Sequence, residues 1–578
     1  MTYSKLSLLR LIDEQRPSMA RRLLIAMTDW ALGINKMNAL YQQHAMQGMS
    51  KERFADTLIK ILDIKVEGLD ELINRIPKTG PVVIASNHPF GGIEGVILAR
   101  ALSTVRPDLK VLANQGLKLF PELQDYFIFT NPLSAKDPRN APSIRQCKRH
   151  VQEGGALLIF PAGKVSYRDR KSQRLREHTW NRIVANLGKS DQCQYVPLFV
   201  SGENSALFYS VERIYHKLRM FLLGHELLNK HGAEVSIAAG FPVGAKHISS
   251  AEQCRLLSYA QQPDWRMQWP PNRYTELQPL AAPTDPNAMV MELASLPDKQ
   301  HLVEYKQYDI YYGYQSQMPN VVTEIARLRE SVFRELNEGS GEPIDTDYFD
   351  STYTHLFVFD REEKAIVGAY RMGQTDRLLA NGDLSQLYLS RMFDFTPDFV
   401  NQQTPCLEMG RSFLIPRMQR SHVGLYLLWR GIGAFVSQFP QYRTLYGTVS
   451  ISKMYDTRSV KLIEQAYVTP TQAVKPKTAF LMADNAEIVD STTQQSLIDY
   501  LPALLQSIEP DGKSIPILMK HYLRLGATFH CLGIDANFND TPGFLLSVDL
   551  PRAPEKQLQL YIGDEWQAYR DYSPLADM

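Results

Sequence analysis

A histidine followed six residues later by a glutamate, in Ser86-Asn87-His88-Pro89-Phe90-Gly91-Gly92-Ile93-Glu94-Gly95, is the first place where this chain carries chemistry. An imidazole can take the proton of a hydroxyl, and a carboxylate within the same turn can orient the ring and stabilise its charged form. Asn87 belongs to the polar burst, and Gly91 and Gly92 let backbone approach a substrate closely. The apolar run Pro81–Ala85 leads straight into this segment, so His88 falls at a strand's carboxyl edge, where α/β sheets place their sites. The competing reading is a structural histidine. A second feature is a run of six cations in thirteen residues, Lys164, Arg168, Arg170, Lys171, Arg174 and Arg176, against Asp169 alone. It makes a local positive field suited to an anionic lipid surface or an acidic carrier protein, or else a solvated basic face.

The elements that must hold these groups read as alternating strands and helices over 51–245. Short apolar runs at Pro81–Ala85, Lys110–Ala113, Ala156–Phe160 and Val196–Val200 are flanked by turn residues, as in an α/β layer domain. From Pro263 to Pro297 seven prolines block regular structure, and this stretch reads as a linker. Beyond it, Val321–Leu336 has helical periodicity, and strands are expected at Thr354–Phe359, Ala365–Tyr370, Leu445–Ile451 and Phe544–Leu550. The expected domains are 1–50 (amphipathic helices with possible membrane contact), 51–250, a linker over 251–300, and 301–578.

Bulk properties exclude several classes. A chain of 578 residues exceeds one ordinary core. A hydrophobic share of 44% and a charged share of 22% are those of a folded soluble protein, and a net charge of +1 argues against wholesale nucleic-acid binding. Cys147, Cys193, Cys254, Cys406 and Cys531 show no paired spacing, so neither a metal nor a disulfide framework is expected. No window reaches the ~18 apolar residues of a spanning helix, and Asp13, Glu14 and Arg16 break any signal-peptide layout, so a cytoplasmic location is expected. Within Arg21–Leu40, Leu23, Met27, Trp30, Ile34 and Met37 share one helical face behind Arg21 and Arg22. That face either lies on a membrane or packs on the core.

The His88 segment resembles the His–acid motif of the glycerolipid acyltransferase superfamily, which acylates hydroxyls of lysolipids. Three further segments keep that family's order over roughly 50–245. Phe127-Ile128-Phe129-Thr130 sits where an acceptor-binding block is expected. Phe160-Pro161-Ala162-Gly163-Lys164-Val165-Ser166 resembles the Phe-Pro-Glu-Gly block, and Val196-Pro197-Leu198 the closing Val-Pro block. The resemblance implies His88 and Glu94 as catalytic residues, with Asn87, Gly91, Gly92, Phe160, Pro161, Gly163 and Ser166 at the substrate. Two departures stand out: His-x5-Glu replaces His-x4-Asp, and Ala162 replaces the block's glutamate. The second implies an acceptor other than plain lysophosphatidate, and the variant block resembles a branch acting on acylated amino-acid lipids.

The C-terminal half holds Arg329-Glu330-Ser331-Val332-Phe333-Arg334, then Asp345-Thr346-Asp347-Tyr348-Phe349-Asp350, Ala369-Tyr370-Arg371 and Leu407-Glu408-Met409-Gly410-Arg411-Ser412. This series resembles the acyl-homoserine-lactone synthase and amino-acid N-acyltransferase branch of the GNAT superfamily. Its tail, Ile515 to Leu550, resembles the N-acyltransferases that make acylated ornithine. The resemblance implies Glu408 as the base that takes an amine's proton. It implies Arg371 and Arg411 as groups for a substrate carboxylate or phosphopantetheine phosphate, and Asp347 and Asp350 as holders of ammonium groups, with Arg329 and Ser412 beside them.

The combined expectation is an α/β chain of two acyltransferase domains resembling the fused ornithine-lipid synthases. The C-terminal domain would join a 3-hydroxyacyl group from acyl carrier protein to an amino acid, ornithine first among them. The N-terminal domain would acylate the hydroxyl of the resulting lyso-lipid. No cofactor beyond the acyl thioester is implied, and the expected place is peripheral, on the cytoplasmic face of the inner membrane. The alternative is a single O-acyltransferase whose C-terminal domain is a carrier-protein or membrane-binding module.

Overall fold

Short apolar runs buried on both faces make central strands of parallel sheets, and those of the N-terminal half do so here. The computed structural model describes residues 5–11, 18–131, 138, 140–214, 222–274, 276–400, 405–482 and 492–573. They divide into two units, one of Met1–Met267 with Ala483–Ser514, the other of Gln268–Met482 with Ile515–Met578.

The first unit's strands are β1 (Lys65–Glu67), β2 (Val82–Ser86), β3 (Lys110–Asn114), β4 (Phe127–Thr130), β5 (Ala156–Ile159), β6 (Tyr167–Arg168), β7 (Leu175–Arg176), β8 (Gln194–Ser201), β9 (Glu234–Ala239) and β10 (Val243–Gly244). The main sheet runs β1-β9-β8-β2-β5-β3-β4, with β10 on β8. β2 is buried throughout and pairs in parallel with β5 and β8. Three carboxyl ends therefore converge where His88 follows β2 and Phe160 follows β5. The four strand expectations hold at β2, β3, β5 and β8.

The second unit adds β11 (His301–Tyr305), β12 (Tyr308–Gly313), β13 (Thr354–Asp360), β14 (Ala365–Gln374), β15 (Phe393–Phe395), β16 (Cys406–Leu414), β17 (Thr444–Ser450), β18 (Val474–Pro476), β19 (Thr528–Asp535) and β20 (Thr541–Asp549). Its large sheet runs β11-β12-β13-β14-β16-β17-β20-β19, antiparallel except for β16 beside β17. The expected helix forms as Pro319–Glu335, and its Val321, Val322, Ile325, Val332 and Phe333 share a core with Phe357, Phe359, Ala369 and Phe413 of the sheet.

Three expectations change. The stretch Arg21–Leu40 is two helices, Met19–Ala31 and Ile34–Gln43, because Gly33 takes φ +72° between them. The first of these helices packs through Ile25 and Asp29, and the core-packing reading fails for its Leu23, Met27 and Trp30 face. Met19, Leu23, Leu24, Met27 and Trp30 are 82, 59, 63, 66 and 74% exposed, whereas Ile34 of the second is buried.

The expected linker is also structured at both ends. Ala251–Tyr259 is a buried helix of the first unit. Pro286–Ala294 is a helix of the second, begun by Pro286 at its first position, where a proline loses no helical hydrogen bond, and capped by Asp285.

Finally, the first unit does not end near residue 250. The helix Gln494–Ile508 returns to it, where Tyr500 accepts a hydrogen bond from Ser250 Oγ (3.0 Å) and Ser507 bonds Gln261 Nε2 (3.1 Å) and the Phe241 amide (2.8 Å). Leu497, Leu501, Leu504, Leu505 and Ile508 of that helix are buried. Each such side chain contributes roughly 1.5–3 kcal/mol, so together they rival a whole domain's stability of about 5–15 kcal/mol. A chain ending at residue 300 is therefore expected to aggregate, and one carrying 492–514 on a flexible tether to stay soluble. Equal solubility and equal melting of the two would refute this.

Candidate active sites

In the first unit the strand-edge turn builds the site around Glu94. This carboxylate opens the helix Ile93–Ser103 and reaches back over the turn. Its Oε1 accepts from the amides of Phe90 and Gly91 and its Oε2 from that of Gly92, all at 2.9 Å. His88 Nδ1 lies 2.9 Å from Oε1, a close charge pairing whose angle is too oblique for a regular hydrogen bond. Burial alone would raise the Glu94 pKa, but the His88 charge and the Gly91 and Gly92 amides outweigh it and hold the group at about 2. Burial likewise works against a charged His88, yet the charges of Glu94 and Glu177 raise its pKa above the usual value. The negative Glu94 carboxylate 2.9 Å from Nδ1 favours the tautomer with its proton on that nitrogen. Nε2 takes no partner among the described residues and is the basic edge.

The surrounding backbone fixes this ring. The Phe160 ring lies 4.5 Å from that of His88, and the Ser166 amide donates to the His88 carbonyl at 3.0 Å. Phe160 and Ser166 of this block thus reach the histidine. Gly163 closes its turn with φ +62° and an amide bond to the Phe160 carbonyl (3.0 Å). Gly91 has φ +94°, and a Cβ there would meet Val165 at 2.6 Å, so its requirement is steric; a Cβ on Gly92 would meet open space. Asn87 exchanges two bonds with the Val200 backbone, 2.8 and 2.7 Å, and so ties the turn to β8 more than it faces a substrate. Phe127–Thr130 forms β4, the sheet's outermost strand, three places from β2, or about 14 Å away at ordinary strand spacing.

No spacing rule points to Glu177, which joins this site through the fold. Its Oε1 accepts the His88 amide (2.5 Å) and its Oε2 the Trp180 indole (2.5 Å). Burial raises its pKa to about 7 against those bonds. Of the six cations, Arg168 pairs with Glu203, and with Arg174 and Arg176 it lies on the β6–β7 hairpin and its turn, which follows directly on Ser166.

In the second unit Glu408 is buried on β16. Its Oε2 accepts the Tyr353 hydroxyl (2.7 Å) and its Oε1 the Leu389 amide (2.9 Å). Burial raises its pKa to about 7, although both bonds and the Arg371 charge pull the other way. A carboxylate poised there changes hands with a proton readily at neutral pH. Next to it β16 carries a bulge, because β14 keeps register up to Ala369–Phe413 and resumes at Arg371–Gly410, and Arg411 takes φ +50°. β16 pairs with β17 only from Cys406–Thr444 to Met409–Gly447, and the ladder stops there while both strands continue.

The charged cluster forms, and its members pair with one another. Arg329 forks onto Asp350 at 2.8 and 3.0 Å and also bonds the Asp345 carbonyl. Arg371 forks onto Asp347 at 2.6 and 3.2 Å. Asp350 has both oxygens engaged and a pKa far below the carboxylate range, because the two arginine charges outweigh its burial. Through these bonds Arg329 and Asp350 brace the loop. Buried charges must be paired, and these pair with one another. Arg411 donates to the Tyr388 hydroxyl (3.0 Å), which donates to Asp535 (2.7 Å). Ser412 is half-buried just past the bulge. Tyr353, Tyr388, Leu389 and Asp535 come from distant segments, and no local signal marks them.

With the geometry in place, the comparisons decide the class. The family described as Acyltransferase matches residues 10–258, and the Acetyltransferase (GNAT) domain matches residues 328–430. The chain is an acyltransferase. Its first unit carries the acyltransferase domain and its second a GNAT-like one. A glycine N(alpha)-acyltransferase of Bacteroides thetaiotaomicron is 28% identical over 265 residues, 42% of this chain and 77% of that protein. A lyso-glycine lipid O-acyltransferase of Phocaeicola vulgatus is 27% identical over 203 residues, 33% of this chain and 68% of that protein. A solved N-acyl amino acid synthase from uncultured soil microbes matches 47% of this chain and 97% of its own at 10% identity and a TM-score of 0.24.

Proposed function

We propose that this chain makes an aminolipid in two steps: the second unit N-acylates an amino acid from an acyl thioester, and the first O-acylates the hydroxyl of that product. The observation that carries this reading is the presence, in one chain, of two buried groups suited to taking a proton from an acceptor. His88 with Glu94 suits a hydroxyl acceptor, and the near-neutral Glu408 suits an amine. In the second unit the amine nitrogen bonds the thioester carbonyl carbon, Glu408 receives the amine proton, and as the C–S bond breaks that proton passes to the leaving thiolate, so the carboxylate is regenerated. In the first, Nε2 of His88 takes the hydroxyl proton as the oxygen attacks, then returns it to the leaving sulfur.

The donor in this reading is an acyl carrier protein carrying a 3-hydroxyacyl group, which supplies the hydroxyl that the second step needs. In the first unit, the β6–β7 hairpin is the basic surface offered to the acidic carrier that brings the second acyl group. Ornithine is what the sequence resemblance implies, and glycine is what the relatives' names support. Lipid mass spectrometry of a host lacking aminolipids, with and without this chain, tests the scheme and reads the amino acid directly. A new monoacyl lipid with no diacyl form would leave only the N-acylation half standing.

The place of action in this reading is a membrane surface, inner and cytoplasmic. No helix among the described residues is long and apolar enough to cross one. The exposed Met19, Leu23, Leu24, Met27 and Trp30 lie on a single helix beside Arg21 and Arg22. Burying each side chain is worth roughly 1.5–3 kcal/mol and each cation near anionic lipid about 1 kcal/mol. Wild-type protein is expected to sediment with anionic vesicles, and Leu23→Asp with Trp30→Asp to stay folded but unbound. Salt should weaken the wild-type association only in part, since apolar burial is unscreened. A folded double variant that still sediments fully would move the contact to Lys164–Arg176.

A further inference from the structure

Beside the Glu408 centre lies a cavity of about 650 Å³ that the scheme above leaves without an occupant. Phe349, Gln386, Arg391, Phe393, Phe395 and Lys477 are among its walls. We propose that it is the carboxylate site of the acceptor: Arg391 grips the carboxylate of the free amino acid and keeps its hold on the N-acylated product. This rests on the reading of the second unit as an N-acyltransferase.

Four observations carry the proposal. The first is charge. Arg329, Arg371 and Arg411 all face aspartates, whereas Arg391 meets no carboxylate among the described residues. Its guanidinium rests instead over the Phe349 ring at 4.8 Å and near that of Tyr388 at 5.8 Å. Stacking on aromatic faces fixes the plane of the fork and leaves its N–H groups for a carboxylate, which they bind in pairs. Lys477 lies 3.7 Å from Asp394, so two cations and one acid leave the rim positive, as an anion requires.

The second is connection to the base. The segment Gln386–Arg391 lines the cavity on one side and holds Glu408 on the other. The Leu389 amide donates to Glu408, and the Gln386 carbonyl lies 3.4 Å from the Tyr353 hydroxyl that also donates to it. The cavity and the base are thus held by one short segment, and a carboxylate at Arg391 sits on the segment that positions Glu408.

The third is size and character. The volume falls within the range of ordinary small-molecule sites and exceeds what a small amino acid fills. Phe393 and Phe395 supply an apolar wall next to the polar Gln386 and Ser390. An N-acyl amino acid, a carboxylate with an alkyl chain, matches that mixture, and it carries the carboxylate with which the substrate entered.

The fourth is the pairing of Asp347 and Asp350. Both acids face arginines, so neither is left as an unpaired carboxylate for a second ammonium group. The carboxylate common to all α-amino acids becomes the recognised feature, and Arg391 is the open group that matches it.

The test uses the full chain with Arg391→Gln and Arg391→Lys. Initial rates of N-acylation are measured over a range of glycine and of ornithine concentrations. Arg391→Gln is expected to raise KM for the amino acid about tenfold or more, equivalent to roughly 1.4 kcal/mol, while kcat changes far less. Arg391→Lys should recover part of the loss, since a point charge replaces a fork. In parallel, titration calorimetry compares N-lauroylglycine with N-ethyl lauramide, which lacks the carboxylate. Wild type should prefer the acid, and the Gln variant should lose that preference. Unchanged KM together with an unchanged preference for the acid overturns the proposal. If wild type acylates neither amino acid, the functional reading fails, and the calorimetric pair still decides whether Arg391 binds a carboxylate.

Discussion

His88→Ala is expected to stop O-acylation and leave the N-acylated monoacyl lipid to accumulate. A positioned general base is worth about 10²–10⁴ in rate, and here no other group among the described residues stands in for Nε2. The pH profile adds a sign. The base must be neutral, and the charges of Glu94 and Glu177 raise the His88 pKa. O-acylation of a supplied lyso-lipid should therefore climb as pH rises through that elevated value, above the usual histidine range. Glu94→Gln removes the paired charge, so the climb should move to lower pH while the maximal rate falls, because the ring loses its orienting partner. Alanine at 88 with the diacyl product intact would make the histidine structural and would end the assignment.

A contact is legible in the sequence to the extent that it is local. β2, β5 and β8 are legible because strands buried on both faces leave unbroken apolar runs. The His88–Glu94 pair is legible because both sit on one strand–turn–helix unit. Glu177 is not, because its bond to the His88 amide depends on where the chain lies after the β6–β7 hairpin. Gly33 is equally silent: the helical face from Leu23 to Met37 is continuous in the sequence, and only a positive φ at one residue breaks it. The proline-rich stretch shows the opposite error. Proline density suggests an irregular linker, yet Pro286 stands at a helix start, where its missing amide costs nothing. In the second unit Arg329, Asp347, Asp350, Arg371 and Arg411 are brought together as their order implies. Their pairing was not legible, because a list of acids and arginines does not say which pairs neutralise each other. The return of Gln494–Ile508 to the first unit is a contact across more than two hundred residues, beyond any periodicity.

Glu408→Gln is expected to remove both lipids, since the first step supplies the hydroxyl on which the second acts. Loss of a base again implies a fall of about 10²–10⁴ in N-acylation. Two features separate this from simple misfolding. Glutamine keeps the shape and can still meet the Tyr353 hydroxyl and the Leu389 amide, so the segment that holds the base stays in place. And feeding purified lyso-lipid should restore the diacyl product, because the first unit's centre is untouched. The pH dependence follows from burial having raised the Glu408 pKa to about 7. The amine's proton needs an ionised carboxylate, so wild-type N-acylation should rise through pH 7 and level off above it, and residual activity of the variant should lack that limb. Stability gives an independent reading with the opposite sign. A carboxyl whose folded pKa lies above its unfolded value binds protons preferentially in the native state, so the wild type loses stability as pH rises from the ordinary glutamate range to about 7. Glutamine cannot ionise. The variant should therefore gain on the wild type in melting temperature between pH 5 and pH 8, and a gap that stays constant across that range would show that Glu408 does not titrate there and cannot be the base.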